Sequence, residues 1–455
     1  MYNEINLKKN DYYIFSSLIF FLFIGFILGE AIVNIILALN SIFIFILFFK
    51  NRLSLNINFL SFFTLLIFYL YILGIGIFRI ENDFFKNFGL IRFILLSISI
   101  MIFVDSDNNK KFIYYLFLIL LFSISCDALI QLFFGKSLIG IEKFENTRVT
   151  GIFLDEEVLG SFLSKTFILL TILFVGLKKK TIESLIFYFI SSIILVTTYV
   201  SAERIAIFTI TIFLIILVMT ELKNKIHKFY FIIISFLILT ISINFSEHLK
   251  VNVISKTLAQ LGANTIANSL VKDTKIFKDW SNNVDIYSSD LKITPENFID
   301  DTFGVGKTNR NIYSAHFITA KNIWIDNLWF GAGIKSYSKN CSKNKYNLKG
   351  HPYSDRRCST HPHNIYLQIL SEIGLLGFIF FICIFLLLFY LNLEDIFKNK
   401  KNTLSMLGLV IIFLPLPSGN FFGTWYGSFI WIFLGLNFKN FLLKKSQTYK
   451  KNSWE

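Results

Sequence analysis

The stretch His361-Pro-His-Asn-Ile-Tyr-Leu-Gln-Ile-Leu-Ser-Glu-Ile-Gly-Leu-Leu-Gly377 brings polar chemistry into the start of a long apolar segment. From Ile365 to Leu391 the sequence is apolar and long enough to cross a bilayer, which requires roughly 20 residues. Asn364, Gln368 and Glu372 recur at intervals of four, so a helix places them on one narrow polar stripe. Polar groups at membrane depth usually face a wet cavity or a partner, so the stripe marks a candidate functional site.

The segment just before this helix contains a candidate base, His363. A histidine near neutral pH can take a proton, although a lone histidine at a membrane interface more often only makes a hydrogen bond. The pattern His-x-His-Asn-x-Tyr-Leu-Gln-x-Leu-x-Glu-x-Gly-x-x-Gly resembles the signature of the O-antigen ligase and polymerase superfamily of bacterial membrane glycosyltransferases. The resemblance implies that His363 is catalytic and that its neighbours support it or bind the acceptor; these neighbours are His361, Asn364, Gln368 and Glu372.

The composition indicates a polytopic membrane protein. The chain has 455 residues, of which 54% are hydrophobic and 18% aromatic, with only 5 prolines. We therefore predict an all-α fold of about 12 transmembrane helices, with one large periplasmic loop between helices 9 and 10. The predicted spans are residues 12–29, 31–49, 57–78, 88–104, 112–134, 151–177, 182–200, 205–221, 229–245, 365–391, 403–417 and 425–441.

The charge pattern predicts the orientation. A net charge of +14 would suit nucleic acid, but the lysines cluster in short connections between apolar segments, where they determine topology. We therefore expect no nucleic-acid partner. If the N-terminus is cytoplasmic, every even-numbered connection is basic, so both termini are predicted inside. The predicted parts are helices 1–9 over residues 1–245, a periplasmic loop over 246–360, helices 10–12 over 361–443 and a basic cytoplasmic tail over 444–455.

The large loop is long enough to be a small subdomain. Helical turns are predicted at Ser255–Val271 and Ala315–Leu328, and the Gly331-Ala-Gly333 sequence is typical of a turn. Cys341 and Cys358 lie in this loop, so outside the cytoplasm they can form a disulfide. A zinc site of these cysteines with nearby histidines is an alternative, but no pair has finger-like spacing; we predict no metal and no cofactor.

Two arginines fall on the same predicted surface as His363. Arg148 precedes the sixth span, and Arg204 ends the very short turn that begins at Ser201. Because guanidinium is always charged and planar, two such groups suit a diphosphate. The alternatives are snorkelling from a helix end or a salt bridge, for instance between Arg204 and Glu203.

In the superfamily, arginines occur in similar settings. The sequences Arg148-x-x-Gly151-x-Phe153 with Leu159-Gly160, Ser201-x-x-Arg204 and Gly331-Ala-Gly333 all resemble superfamily patterns, and Arg310 resembles a further loop arginine at a longer spacing. The resemblance implies that Arg148, Arg204 and Arg310 bind the donor diphosphate.

One departure from that pattern and one isolated charge stand out. Asp155-Glu156-Glu157 replaces the usual neutral residues and is expected either to cap a helix start or to bind acceptor hydroxyls. Lys165 lies near the middle of the sixth span without an evident partner.

These residues suit displacement of a lipid diphosphate by a hydroxyl, which needs a base on the nucleophile and positive charge on the leaving group. The resemblance implies a donor glycan on undecaprenyl diphosphate, an active site at the periplasmic face of the bacterial inner membrane, and membrane lipid around the chain. With the lipid A core as acceptor the enzyme is an O-antigen ligase. With another lipid-linked glycan it is a polymerase, and with a protein hydroxyl it is an O-oligosaccharyltransferase.

The competing class is a transporter, since twelve spans also suit a secondary carrier. Such carriers usually show two related halves around a site at the bilayer midplane. Here the large loop divides the predicted spans nine to three, and the candidate charges cluster at one surface. The sequence therefore favours the enzyme.

Overall fold

The computed structural model describes residues 8–50, 52, 59–78, 84–104, 107–142, 148–154, 156–177, 181–220, 233, 251, 255, 264–274, 278, 312–351, 353–397, 402–414 and 419–452. Arg310, Asp155 and, apart from residue 233, the predicted ninth span at 229–245 lie outside this part of the chain. Within it the regular structure is helical, and strand pairing is limited to one isolated bridge between Lys136 and Glu142.

The helices are numbered in chain order: α1 Lys9–Leu28, α2 Glu30–Phe49, α3 Phe59–Phe78, α4 Phe84–Phe88, α5 Ile91–Phe103, α6 Asp107–Phe134, α7 Leu159–Val175, α8 Thr181–Val200, α9 Arg204–Thr220, α10 Asn264–Val271, α11 Ile312–Asp326, α12 Tyr337–Asn340, α13 Ile365–Phe397, α14 Asn402–Ile412 and α15 Thr424–Asn452. Short 3₁₀ turns lie at Gly151–Phe153, Asn344–Tyr346 and Ser354–Arg356.

Within the described part of the chain, six segments are long and apolar enough to cross a membrane: Lys9–Leu28, Glu30–Phe49, Phe84–Phe103, Lys110–Phe134, Thr181–Val200 and Ile365–Leu393. Shorter apolar helices occur at Phe63–Phe78, Leu159–Val175, Arg204–Leu217 and Thr403–Ile412. The all-helical, multi-pass class is thus confirmed. The number of twelve spans and the side of the membrane on which the loop lies stay predictions.

The sixth predicted span begins later than expected. We predicted a span from residue 151, but α7 begins at Leu159, and the described residues before it form a 3₁₀ turn and irregular chain. Leu154 adopts a left-handed backbone (φ 55°), which interrupts helical geometry. The peptide N–H groups of Thr150 and Gly151 donate instead to Oε1 of Gln131 in α6, at 3.1 and 2.8 Å.

The chain divides into two compact units. The first unit comprises Met1–Tyr114, Ile172–Leu177 and Ile312–Glu455, and the second comprises Tyr115–Thr171 and Lys178–Asn311. In the first unit, α5 packs against α2 and α15, and α13 packs against α3, α11 and α14. In the second, α8 packs against α9.

Helix α13 is interrupted at Gly374, whose backbone is far from helical (φ 72°, ψ −174°). The N–H groups that follow the break find partners outside the helix: Leu375 donates to the carbonyl of Leu328 (2.9 Å) and Leu376 to that of Trp329 (3.2 Å). We call residues 328–333 the brace, because this segment lies along the break and supplies the carbonyl groups to which the N–H groups after the break donate.

Two glycines make the close approach of the brace to α13 feasible. A Cβ atom at Gly331 would overlap the main chain of Glu372, and one at Gly374 would overlap the carbonyl of Trp329. The N–H of Gly333 then donates to the carbonyl of Glu372 at 2.8 Å. The Gly-Ala-Gly sequence predicted as a turn therefore serves as a site of backbone contact.

Candidate active site

His363 lies two residues before α13, in the first unit, with a left-handed backbone (φ 54°). This conformation is uncommon for residues other than glycine and is strained for most side chains. The side chain is half-buried, and its Nε2 lies 3.1 Å from the hydroxyl of Ser359. A strained backbone at a candidate base supports a functional role for that residue.

Aromatic rings surround His363. The ring of His361 lies 4.2 Å away between centroids and that of His316, on α11, lies 5.2 Å away. Tyr313, also on α11, presents an edge-on contact at 5.6 Å. The predicted helix at residues 315–328 thus coincides with α11 and brings a third histidine to the site.

The environment of His363 favours the neutral imidazole. Burial, together with the neighbouring His361 and His316, lowers the pKa of His363 to about 4. A neutral imidazole at physiological pH has an unprotonated nitrogen that can accept a proton. The residue is therefore in the protonation state that a general base requires.

Residues of the loop before α13 hold this histidine cluster in place through hydrogen bonds. Nδ1 of His316 donates to the carbonyl of Arg357 (2.9 Å), and the Tyr337 hydroxyl donates to the same oxygen (2.8 Å). Nε of Arg357 donates to the carbonyl of Cys341 (2.9 Å), and Cys341 is joined to Cys358 by a disulfide. Because a carbonyl only accepts hydrogen bonds, Nδ1 of His316 carries a hydrogen.

The hydrogen bonds described below for Asn364 and Gln368, two members of the polar stripe of α13, lie within the first unit. Oδ1 of Asn364 accepts the N–H of Leu367 (3.0 Å) and caps the helix start. Gln368 is fully buried; its amide donates to Oδ1 of Asn420 (2.6 Å) and its oxygen accepts the N–H of Phe421 (2.8 Å). These bonds anchor the loop before α15 to α13.

Glu372 is also 0% exposed. Its Oε2 accepts the N–H of Lys335 at 2.9 Å, while Oε1 is buried without a hydrogen-bond partner among the described residues. Acceptor binding by Gln368 and Glu372 stays a prediction.

In the second unit, the turn before Arg204 is fastened to the start of α7. The carboxylate of Glu203 accepts the N–H of Gly160 on Oε1 (2.6 Å) and that of Ser161 on Oε2 (3.0 Å). A Cβ atom at Gly160 would overlap the Ser201 hydroxyl, so glycine permits this close contact. Capping a helix start is one of the two roles predicted for Asp155-Glu156-Glu157, and at the start of α7 the N–H groups of Gly160 and Ser161 donate to Glu203 from another turn.

The partly buried lysine of α7, Lys165, lies near polar groups of the same unit. Nζ of Lys165 donates to the carbonyl of Ser161 at 3.2 Å and lies within electrostatic range of Glu203. Burial raises the pKa of Glu203, while its N–H donors and the Lys165 ammonium oppose that rise. The positive charge of Lys165 therefore favours the ionised form of the Glu203 cap.

Each arginine lies beside a helix start in this unit. Arg204 is the first residue of α9 and is partly buried. The Arg148 side chain is 34% exposed and pairs with Glu157, with 3.1 Å between Nη1 and Oε2. One member of the acidic trio is thus a salt-bridge partner.

The structure therefore groups His361, His363 and Asn364 at the start of α13 in the first unit, and it places Arg148 and Arg204 in the second. Arg310 lies outside the described residues. Among the described residues, no three His, Cys, Asp or Glu side chains are arranged to hold a metal ion, and the two loop cysteines are bonded to each other.

Sequence reasoning missed His316 and Glu203. His316 lies on a correctly predicted helix, but its contact with His363 joins residues far apart in the chain. Glu203 was considered only as a salt-bridge partner of Arg204. The glycine of Leu159-Gly160 was a usable signal, because a glycine near a helix start often permits close approach of another backbone.

Comparison with known families gives one match. A family model described as O-antigen ligase matches residues 185–382, which include Arg204, the brace and the histidine motif. A search of curated proteins gives no match. The resemblance to the O-antigen ligase superfamily is thereby confirmed over residues 185–382, and members of that family are glycosyltransferase-like membrane enzymes.

Proposed function

We propose that this chain, a multi-pass membrane protein with an O-antigen ligase segment, transfers a glycan from undecaprenyl diphosphate to a hydroxyl of the lipid A core at the periplasmic face of the inner membrane. The observation that carries the proposal is His363, a neutral and strained histidine inside the matched segment, held at the start of α13 by a cross-linked loop.

In the proposed reaction, His363 takes the proton of the acceptor hydroxyl. The hydroxyl oxygen bonds to the anomeric carbon of the donor, the bond from that carbon to the phosphate oxygen breaks, and undecaprenyl diphosphate leaves with the electron pair. Arg148, Arg204 and Arg310 stabilise the negative charge of the leaving group. Asn364 and His361 orient the base or the acceptor.

Donor binding would also change the pKa of His363. With a pKa of about 4, His363 is unprotonated but weakly basic in the free protein. A negative diphosphate within about 4–6 Å of the ring would raise the pKa towards neutrality, because opposite charge favours the protonated form. The base would then be strongest when the donor is in place.

The Arg148–Glu157 ion pair fits this scheme. Both side chains are partly exposed, and exposed pairs contribute only about 0–1 kcal/mol, so a diphosphate can displace the carboxylate. The released Glu157 is then free to contact acceptor hydroxyls, which is the alternative role predicted for the acidic trio.

The test is to delete the gene and compare lipopolysaccharide with undecaprenyl-linked glycans in the same cells. A ligase is expected to leave long glycan on the carrier lipid and bare core on the surface. Core bearing a single repeat, without long chains, would replace the ligase by a polymerase. Unchanged lipopolysaccharide would contradict both and favour a protein acceptor, or a transporter if glycoproteins are also unchanged.

Complementation connects the phenotype to the site. The deletion strain would receive wild-type protein, Arg204→Lys or, as a matched control, Lys339→Arg, which exchanges cations at an exposed position of the loop. Lysine lacks the planar fork of arginine, so Arg204→Lys should fail to restore the glycan profile. Restoration by Arg204→Lys at normal expression would contradict the proposed diphosphate contact.

A further inference from the structure

Four large apolar side chains are exposed where α11 is followed by the brace. Ile325, Leu328, Trp329 and Phe330 each have 40–54% of their surface uncovered by this chain. We call these four side chains the apolar patch. Soluble proteins rarely expose large contiguous apolar surfaces, so a patch of this kind marks contact with a protein or a membrane.

Hydrogen bonds to α13 fix the level of the patch along that helix. The carbonyl of Leu328 accepts the N–H of Leu375 at 2.9 Å. The carbonyl of Trp329 accepts the N–H of Leu376 at 3.2 Å. The apolar run of α13 ends at Leu393, because two acidic residues follow. A hydrocarbon core about 30 Å thick takes about 20 helical residues, which counted back from Leu393 reach residue 374, so both N–H groups lie at hydrocarbon depth.

Helix α3 supports the same depth. The hydroxyl of Tyr71 donates to the carbonyl of Ile373 at 2.7 Å and lies 3.5 Å from that of Trp329. Tyr71 belongs to the apolar helical segment Phe63–Phe78, and Phe78, seven residues or about 10 Å further along, is 84% exposed. Because so large an exposed ring favours lipid over water, the apolar layer extends beyond the level of Tyr71 and of the brace.

The backbone of the brace is compatible with this depth. Irregular backbone is tolerated at membrane depth only where its polar groups find partners in the protein or in a wet cavity. Besides accepting two hydrogen bonds from α13, the brace donates two to it. The N–H of Ala332 donates to the carbonyl of Ser371 and that of Gly333 to the carbonyl of Glu372, both at 2.8 Å. The brace is thus paired with a membrane helix along its length.

A charged group beside the patch marks the water boundary. Asp326 binds the ammonium group of Lys345 at 2.6 Å and the hydroxyl of Tyr346 at 3.0 Å, and both members of the ion pair are exposed. Exposed charges of this kind require water. The patch therefore lies near one edge of the apolar layer, where tryptophan is favoured because its ring is amphipathic.

We propose that the apolar patch is a lipid-binding surface, covered by the acyl chains of the bilayer, and that this part of the predicted periplasmic loop re-enters the membrane. The occupant is lipid because the patch is continuous, through the brace, with two apolar helices at hydrocarbon depth. The proposal is independent of the glycan transfer proposed above. Since α11 also carries His316, nine residues or about 14 Å before Ile325, insertion of the patch anchors to the bilayer the helix that contacts His363.

Spin labelling measures what covers the patch. The full chain in lipid nanodiscs would carry Cys126→Ser and Cys383→Ser, which remove the free thiols, and Phe330→Cys as the labelling position. Lys339→Cys, at an exposed position of the same loop, is the matched control. Oxygen concentrates in lipid, so it should relax the label at position 330 more than a water-soluble nickel chelate does, and the order should reverse at position 339.

Two results would overturn the proposal. A nickel effect at position 330 as strong as at position 339 would show that water covers the patch. Weak effects of both reagents at position 330 would show a protein cover, such as a second copy of the chain.

A second measurement uses wild-type protein, in case Phe330→Cys fails to fold. The nanodiscs would contain a phospholipid with a photoreactive diazirine in its acyl chain, and tryptic peptides would be examined by mass spectrometry after irradiation. Cleavage after Lys321 and Lys335 releases residues 322–335, which contain the whole patch. This peptide should carry lipid adducts, and residues 350–356 of the loop should not. An unmodified 322–335 peptide, or equal modification of the two peptides, would refute insertion.

Discussion

The turn that carries Arg204 and the segment that carries His363 are held in place by different kinds of interaction. Both place a functional candidate at a helix start. The turn is fixed by Glu203, which accepts the N–H groups at the start of α7 at 2.6 and 3.0 Å and whose ionised form the charge of Lys165 favours. The histidine segment is fixed by a strained backbone and a loop closed by a disulfide. The first depends on buried polar bonds between helices, and the second on a covalent link in a loop.

The comparison predicts that substitutions affect activity and stability differently in the two regions. The largest effect should follow from His363→Asn, because asparagine tolerates the left-handed backbone but supplies no base. The transfer rate should fall by about 10²- to 10⁴-fold. His351→Gln, in the same loop, is the control and should remain near wild type. A rate within threefold of wild type for a well-expressed His363→Asn protein would exclude His363 as the base.

In the turn that carries Arg204, substitution of Glu203 should mainly lower the free energy of unfolding. Glu203→Ala leaves the N–H groups of Gly160 and Ser161 without their acceptor and Lys165 without its nearby carboxylate, so unfolding should be easier by about 1–3 kcal/mol. Thermal unfolding in detergent measures this. Adding Lys165→Met should recover part of the loss, because an apolar side chain needs no counterion. No recovery would mean that Lys165 does not balance Glu203.

Opening the disulfide should affect only the histidine segment. Cys341 and Cys358 are 17 residues apart, and closure of such a loop contributes up to about 3 kcal/mol. In the Cys341→Ser/Cys358→Ser protein, amide exchange should accelerate over residues 341–363 and not over 201–217. Equal acceleration in both regions would show that the two supports are not independent.

The smallest expected effect is on the pH dependence of activity and stability. Because the folded pKa of His363 is about 4, kcat/KM should keep most of its neutral value at pH 5, where an ordinary histidine would be protonated. The lower limb of kcat should lie at higher pH, because the bound diphosphate raises the pKa. Stability should fall between about pH 6.5 and 4, since the unfolded chain takes up a proton there while folded His363 does not. A kcat/KM limb near 6.5 would contradict the burial of His363.

Apolar runs predicted most helices, because a spanning helix needs only length and composition. Each predicted span except 229–245 overlaps a described helix. The break at Gly374 was not predictable in this way, since the apolar pattern continues across it and its new partners come from the brace. The late start of α7 was missed because Ile152, Phe153 and Leu154 are apolar without being helical.

The sequence predicted those residues of the candidate site that belong to its local motif. His363 and Asn364 lie at the expected helix start, and Asn364 caps it. His316, Glu203 and Lys335 were missed as partners, because each acts on a residue that is distant in sequence. A motif records which side chains are needed, whereas their pKa values and supports depend on how the chain folds.

The break in α13 bears on how such proteins can be recombined. The brace supplies carbonyl partners to Leu375 and Leu376, and the matching glycines, Gly331 and Gly374, lie on opposite sides of the contact. A chimera that exchanges the loop alone would join a foreign brace to the native helix and lose that fit. The smallest transplantable cassette therefore runs from α11 through α13, residues 312–397.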